Sequence, residues 1–345
     1  MLEEAKKEGY DSVLAMTPPN IFYFGGFWGE GYLFFNENEA YLIAAKLEYD
    51  RAKASALEVE VIKAERGKEM VKEVKKLAKN RKVCIDDPPA SKYLNLSKEL
   101  KDVISCNADL FHGARMVKDE AEIEKLIEGG KIMDRIFEFV GEIIRPGIRE
   151  RELAAQIVQE MMSMRANPVV YEASFDPIVV ASGPNGSLPH ATVTDRLLSR
   201  GDFVVVDIVL RYHGYIVDAT RTYCLGEPDE FKKMIYDAVL KAQERALSLV
   251  RPGTKVEDVD AQARNYLKSL KLDEYFIHST GHGIGLDVHE PPWLRPESQE
   301  VLEEGMSITI EPGIYIPGKL GVRIEDSVIV APNPILLTSY PKELR

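Results

Sequence analysis

The sequence predicts a mixed α/β protein of two domains. Residues 1 to about 112 alternate short helical and strand-like segments, and from about residue 115 the chain repeats its own helix–helix pattern. Two later β-rich hairpins each hold two carboxylates inside otherwise apolar runs. The chain has 345 residues, and at roughly 150 residues per domain this fits two domains. They are expected at residues 1–114 and 115–345.

Hydrophobic residues are 45% and charged residues 29% of the chain, enough for a core in each domain and unlike a disordered chain. Lys plus Arg is 44 against 56 Asp plus Glu, a net charge of −12. Such a surface repels phosphate backbones and anionic lipid, so neither nucleic acid nor membrane is expected as a partner. No apolar run approaches the ~18 residues of a membrane span. The opening MLEEAKKEGY lacks the apolar stretch of a secretory signal, so the expected location is cytoplasmic. Cys84, Cys106 and Cys224 lie outside any CxxC or CxxH spacing and read as reduced thiols. Glutamine is scarce beside abundant Glu and Lys, which leans toward a heat-adapted source.

In the first domain, residues 2–8 read as a helix and 12–16 as a strand. Strands at 31–35 and 40–45 flank a polar turn, followed by an amphipathic helix at 68–79, a strand at 82–85 and a breaker at 86–89. No nucleotide fingerprint is present. The aromatic run Ile21–Phe35 reads as a core strand pair with glycine bends, or else as an aromatic wall for a pocket. In the second domain Asp119 and Glu122 have the spacing of a capping box, and apolar residues then recur at helical intervals to Val140. RPGIRERELAAQIVQEMM (Arg145–Met162) resembles RPGTKVEDVDAQARNYLKSL (Arg251–Leu270). Each copy precedes a glycine-rich, His-bearing loop and a hairpin, so a duplicated helix–helix–hairpin unit with a pseudo-two-fold is expected.

The hairpins carry the chemistry. If the first turns between Tyr212 and His213, Asp207 and Asp218 stand directly opposite one another. If the second turns at Gly318, Glu311 and Glu325 do the same. Like charges facing each other on buried strands are destabilising unless cations hold them. His282, between glycines in STGHGIGLDVHEPP, joins the four carboxylates. Oxygen donors with one imidazole suit Mn²⁺, Co²⁺, Fe²⁺ or Zn²⁺, and five side chains fit a two-metal centre better than one open ion. His190 and His289 lie in proline- or glycine-fixed loops beside this set. His112, His213 and His278 read as structural.

These segments resemble the pita-bread metallopeptidases, the group of prolidase, aminopeptidase P, methionine aminopeptidase and creatinase. NIFYFGGF resembles their N-terminal domain. FDPIVVASGPNGSLPH, DIVLRYHGYIVDATRT, TGHGIGLDVHE, EPGIY and GVRIED follow their catalytic domain in order. The resemblance implies a creatinase-like α/β domain followed by a pita-bread catalytic domain. It implies that Asp207 chelates one metal, that His282 and Glu311 bind the other, and that Asp218 and Glu325 bridge them around a water or hydroxide. By the same resemblance, His289 contacts the scissile carbonyl, His190 positions substrate or transfers a proton, Glu311 shuttles a proton, and Arg323 supports the site from behind.

The implied activity is hydrolysis of Xaa-Pro bonds with two divalent ions, Mn²⁺ or Co²⁺ first and Fe²⁺ or Zn²⁺ next. An Xaa-Pro dipeptidase acting as a homodimer on small peptides leads. The alternatives are an aminopeptidase P-like enzyme on longer peptides, a hydrolase of a non-peptide amide, and an inactive binding protein. Methionine aminopeptidase usually lacks the N-terminal domain, and creatinase does not keep these ligands. Val209 and Val217 depart from residues frequent in the family. Trp293 stands where some prolidases carry an arginine for the substrate carboxylate, with Arg295 nearby but out of register.

Overall fold

The structure is a computed structural model that describes residues 1–100, 104–170 and 175–344. It divides into two compact units, Met1–Arg115 and Met116–Arg345.

The described residues of the first unit form a six-stranded sheet of β1 (Ser12–Ala15), β2 (Gly31–Phe35), β3 (Ala40–Ala45), β4 (Glu60–Ala64), β5 (Val83–Ile85) and β6 (Ile104–Cys106). The spatial order is β4-β3-β2-β1-β5-β6. Only β2 runs against its neighbours: α2 leads the chain from β1 into it, and the short turn at 36–39 returns the chain as β3. The helices are α1 (Leu2–Lys7), α2 (Pro18–Gly25), α3 (Tyr49–Ser55), α4 (Lys68–Leu77), α5 (Ala90–Glu99) and α6 (Ala108–Met116). Alternation sends Val13 and Ala15 to one core and Leu14 to another, so β1 is buried throughout.

The aromatic run is not a strand pair. Thr17 in an extended conformation, Pro18 at the first helical position and Gly26 at φ 76° start and stop a helix across Ile21–Phe24. Only Gly31–Phe35 is strand. Asp86, expected to lie in a breaker, is buried and accepts from the backbone N–H of Met16 and Thr17, from Thr17 Oγ1 and from Asn20 Nδ2 at 2.8–3.0 Å. Cys84 and Cys224 are buried and form no disulfide among the described residues, while the side chain of Cys106 is outside the described set.

The second unit opens with α7 (Glu120–Ile143) and α8 (Glu150–Ser163). Asp119 and Glu122 close a reciprocal capping box at 2.8 Å, and Tyr215 donates to the other oxygen of Glu122. Strands β7 (Asn167–Pro168) and β8 (Ile178–Ser182) both pair with β9 (Phe203–Tyr212), whose other edge forms a hairpin with β10 (Tyr215–Cys224). The pattern then repeats with α9 (Glu230–Leu247) and α10 (Val256–Ser269), and α8 and α10 are each 14 residues long. Beyond them lie β11 (Gly281–Gly283), β12 (Glu290–Leu294), β13 (Ser307–Ile310), β14 (Gly313–Ile316), β15 (Leu320–Arg323) and β16 (Asp326–Ile329). No helix among the described residues is long and apolar enough to cross a membrane.

Both repeats use a buried carboxylate on the second helix to pin the loop that follows. Glu150 accepts from the N–H and Oγ of Ser182 at 2.7 Å, from Asn185 at 2.9 Å, and from the N–H and Oγ1 of Thr194. Asp260 accepts from the N–H of Thr280 at 3.1 Å, from its Oγ1 at 2.8 Å, and from Arg264. The first loop carries His190 and the second leads into His282.

Glu150→Ala would strand several of these donors in the interior. Unfolding in urea should show a loss of roughly 3 kcal/mol, and an unchanged midpoint would remove the anchoring role.

Candidate metal centre

The first hairpin brings Asp207 and Asp218 to one face, but not directly opposite. His213 and Gly214 adopt φ of 47° and 93°, the two positive values of a type I′ turn, so they alone form the loop. Asp207 therefore pairs with Thr220, and Asp218 pairs with Val209. The two carboxylates are diagonal neighbours, two residues out of the expected pairing.

The second hairpin keeps its expected register around Gly318 but is broken where its acids lie. Ile310 pairs with Asp326 and Gly313 with Arg323, while Glu311 and Glu325 fall in the gap between these ladders. Each backbone finds another partner. The Glu311 N–H donates to Thr280 O at 2.7 Å, and that of Glu325 to Thr220 O at 3.1 Å. The second bond ties Glu325 to the first hairpin, and Ser327 Oγ reinforces it by donating to Asp218 O at 2.6 Å.

His282 enters from β11. A Cβ at Gly281 would sit 2.0 Å from Thr309 O, and one at Gly283 would sit 2.2 Å from Pro291 O, so only glycine lets the backbone thread between these strands. His282 Nδ1 is 3.0 Å from Gly283 O, which assigns its proton there and leaves Nε2, 3.3 Å from Glu311 Oε1, facing the acids. Ligand atoms of Asp218, His282 and Glu325, all buried, lie within 4.8 Å of one another. Among the described residues, Asp207 Oδ1, Asp218 Oδ1 and Glu325 Oε1 are buried without a hydrogen-bond partner. Uncompensated buried oxygens in an oxygen-rich set with one imidazole fit divalent cations.

A cleft of about 90 Å³ opens on this group, bordered by His190 and His289. The rings of His282 and His289 meet edge to face at 4.3 Å. His190 is exposed at the mouth. Arg323 lies behind: it ion-pairs with Asp207 and donates to Tyr315 OH at 2.7 Å, Pro189 O at 3.1 Å and Thr220 Oγ1 at 3.1 Å.

The electrostatics follow from crowding. Burial first, and then the charge of Asp207, push Asp218 well above the usual carboxylate range. Burial and Asp218 do the same to Glu325. Burial alone would raise Glu311, but His282 brings it down to about 2. Burial opposes a charge on His282, and Glu311 overcomes this to raise it. His289 is lowered to about 4 by burial and by His282, so its imidazole is neutral near pH 7.

Several contributors escaped the sequence reading. His278 lies outside any strand; its Nε2 is 3.0 Å from Tyr315 OH, continuing the line from Arg323. Thr220 Oγ1 donates to Glu325 Oε2 at 2.6 Å. Tyr315 and Thr220 fall inside the motifs EPGIY and DATRT, which marks them. Glu150 and Asp260 look like solvent-facing acids of amphipathic helices, so nothing in the sequence distinguishes them.

Residues 124–332 match the family profile described as Metallopeptidase family M24. The chain belongs to that family. It is thus a metallopeptidase, and M24 membership implies divalent metal ions. Residues 1–117 match the Creatinase/Prolidase N-terminal domain. The chain is similar to an Xaa-Pro dipeptidase of Pyrococcus furiosus, 38% identical over 97% of this chain and 95% of the relative. A prolidase structure from Pyrococcus horikoshii OT3 superposes with a TM-score of 0.90 at 34% identity, covering 100% of this chain and 98% of that one. An X-Pro aminopeptidase structure from Thermotoga maritima MSB8 gives 0.90 at 32% identity, covering 99% and 97%.

The raised groups set a pH dependence for the metal-free M24 unit. Asp218, Glu325 and His282 bind protons more tightly folded than unfolded. The stability they contribute is full below their unfolded pKa values and is lost as pH rises through the folded ones. The depressed Glu311 acts oppositely, but only toward pH about 2. Calorimetry of metal-stripped protein should show Tm falling between about pH 5 and pH 8, with added divalent metal flattening the fall. Equal slopes with and without metal would count against cation binding here.

Proposed function

We propose that the chain is an Xaa-Pro dipeptidase that holds two divalent cations, Mn²⁺ or Co²⁺, on Asp207, Asp218, His282, Glu311 and Glu325. The observation that carries this is the convergence of unpartnered buried carboxylate oxygens with His282 Nε2 at the floor of a cleft. The similarity to Xaa-Pro dipeptidases along nearly the whole chain supports the substrate class. Fe²⁺ and Zn²⁺ suit the same donors. A cytoplasmic homodimer completes the reading, by resemblance to the family.

Divalent cations held there would lower the pKa of water and stabilise developing negative charge. Glu311, ionised by His282, accepts a proton from the attacking water at its carboxylate and returns it to the proline nitrogen as the peptide bond breaks. His289, neutral at working pH, donates a hydrogen bond to the carbonyl oxygen as it becomes an oxyanion. His190, at the mouth, orients the substrate. Arg323 holds Asp207 in place from behind and, through Pro189 O, fixes the backbone next to His190. The small cleft suits a small peptide.

A second reading, an aminopeptidase P-like enzyme on longer peptides, rests on Trp293. In the β11–β12 ladder Trp293 pairs with His282, so an indole shares the histidine's face where some prolidases carry an arginine.

Metal-stripped protein should hydrolyse Met-Pro only after Mn²⁺ or Co²⁺ is restored, and should leave Met-Pro-Ala intact. Cleavage of the tripeptide would select the second reading. Loss of both activities with metal bound would discard Xaa-Pro specificity. Asp207→Asn should lower kcat/KM at least about 100-fold and weaken metal binding in parallel; full activity after stripping and refilling would refute the ligand set.

A further inference from the structure

The first unit contains a crevice of about 890 Å³ that the proposed peptidase chemistry does not use. Its place follows from the strand order. β1, β3, β4, β5 and β6 run in one direction, so their carboxyl ends share one edge of the sheet. After β1 the chain lays β2, β3 and β4 on one side, then crosses to lay β5 and β6 on the other. β1 and β5 therefore mark a switch point. In open α/β sheets the crevice outside such a point is where ligands bind. The lining comes from the segments that follow these strands: residues 16–18 after β1, 66–72 after β4, and 89–99 after β5.

The charge of the lining runs against that of the chain. Five lining side chains are Lys or Arg and two, Glu30 and Glu99, are acidic, in a chain with a net charge of −12. Arg66 is matched by Glu30, and Lys72 pairs with Glu69. Lys68 and Lys98 make no ion pair among the described residues. Lys92 is half-buried: its ammonium donates to Met16 O at 2.6 Å and Gly31 O at 3.1 Å and lies 4.8 Å from the centre of the Tyr32 ring. An ammonium has three donors, so one remains. Burial depresses the Lys92 pKa despite the opposing charges of Asp86 and Glu30, a cost that a further anion beside it would offset. The ten-residue helices α4 and α5 both begin at the crevice without a side-chain cap. Met16, Met70, Val71 and Pro89 supply apolar wall between these cations.

From this geometry we infer that the crevice binds a small molecule with a phosphate or carboxylate group on an apolar body. The anion sits among Lys92, Lys68 and Lys98, and the apolar part lies along the wall formed by Met16 and Met70. This site lies wholly within the first unit, and its lining shares no residue with the metal centre.

The test is titration calorimetry on the full chain, metal-stripped so that no cation at the catalytic centre captures the probe. Phenyl phosphate and benzoate are the probes, and benzyl alcohol is the uncharged control. One or both anions should bind at one site per chain, more weakly as salt is raised, while benzyl alcohol should not bind. Phenyl phosphate alone assigns phosphate, and benzoate alone assigns carboxylate. The Lys68→Ala/Lys98→Ala double variant and Lys92→Met should each weaken binding at least about tenfold. The double variant should keep the parent's melting temperature and, once reloaded with metal, its hydrolysis of Met-Pro. It keeps the test readable if loss of the Lys92 hydrogen bonds unfolds the first unit. Absence of anion binding at millimolar probe, or binding undiminished in the double variant, overturns the site.

Discussion

The second unit is organised around mutual repulsion among buried acids. Asp207, Asp218, Glu311 and Glu325 surround one small cleft, and each isolated charge there costs several kcal/mol. This repulsion shows in the raised pKa values of Asp218 and Glu325, and it is partly met by a His282–Glu311 pair and by Arg323 against Asp207. Those arrangements leave three carboxylate oxygens unpartnered among the described residues. Buried acids that one imidazole and one guanidinium satisfy only in part are donors that suit divalent cations.

Holding the acids together against repulsion demands rigid supports from both repeats. The interrupted second hairpin is the principal device. By leaving its own ladder at Glu311 and Glu325, each strand gains a bond to another element, Thr280 for one and Thr220 for the other. The Thr220 bond joins the two hairpins across the centre. Glu150 and Asp260 serve the loops in the same way, each spending a buried carboxylate on backbone and hydroxyl donors. The first unit uses Asp86 similarly, to fix the turn after β1. Buried acids thus do two jobs: those with saturated oxygens shape loops, and those with vacant oxygens suit metal.

Much of this was legible from residue order. Continuous apolar runs around turn residues located β1, β2 and β3 within a residue, because strands buried on both faces leave an unbroken apolar signal. The capping box at Asp119 and the repeated Pro-Gly helices were readable because caps and turns are local chemistry. The aromatic run misled because Phe and Tyr favour strands, while the Thr-Pro start and Gly26 stop, which decide the helix, are weaker signals. The first hairpin's register slipped because the positive φ of a non-glycine, His213, marks the turn and has no signature in composition.

Residue identity and order by themselves brought forward four carboxylates and one imidazole as candidate ligands and set the acids in two matched segments. Carboxylates stand out in apolar β runs, and a flanked histidine stands out between glycines. Tertiary structure alone decided which oxygens face one another, which are left unpartnered, and that Tyr315 and His278 stand behind Arg323. It alone collected lysines from two separate connections at one edge of the first sheet. The physical reason is common to all of these. Pairing, desolvation and field strength depend on distances between residues far apart in sequence, and those distances exist only after the chain has closed on itself.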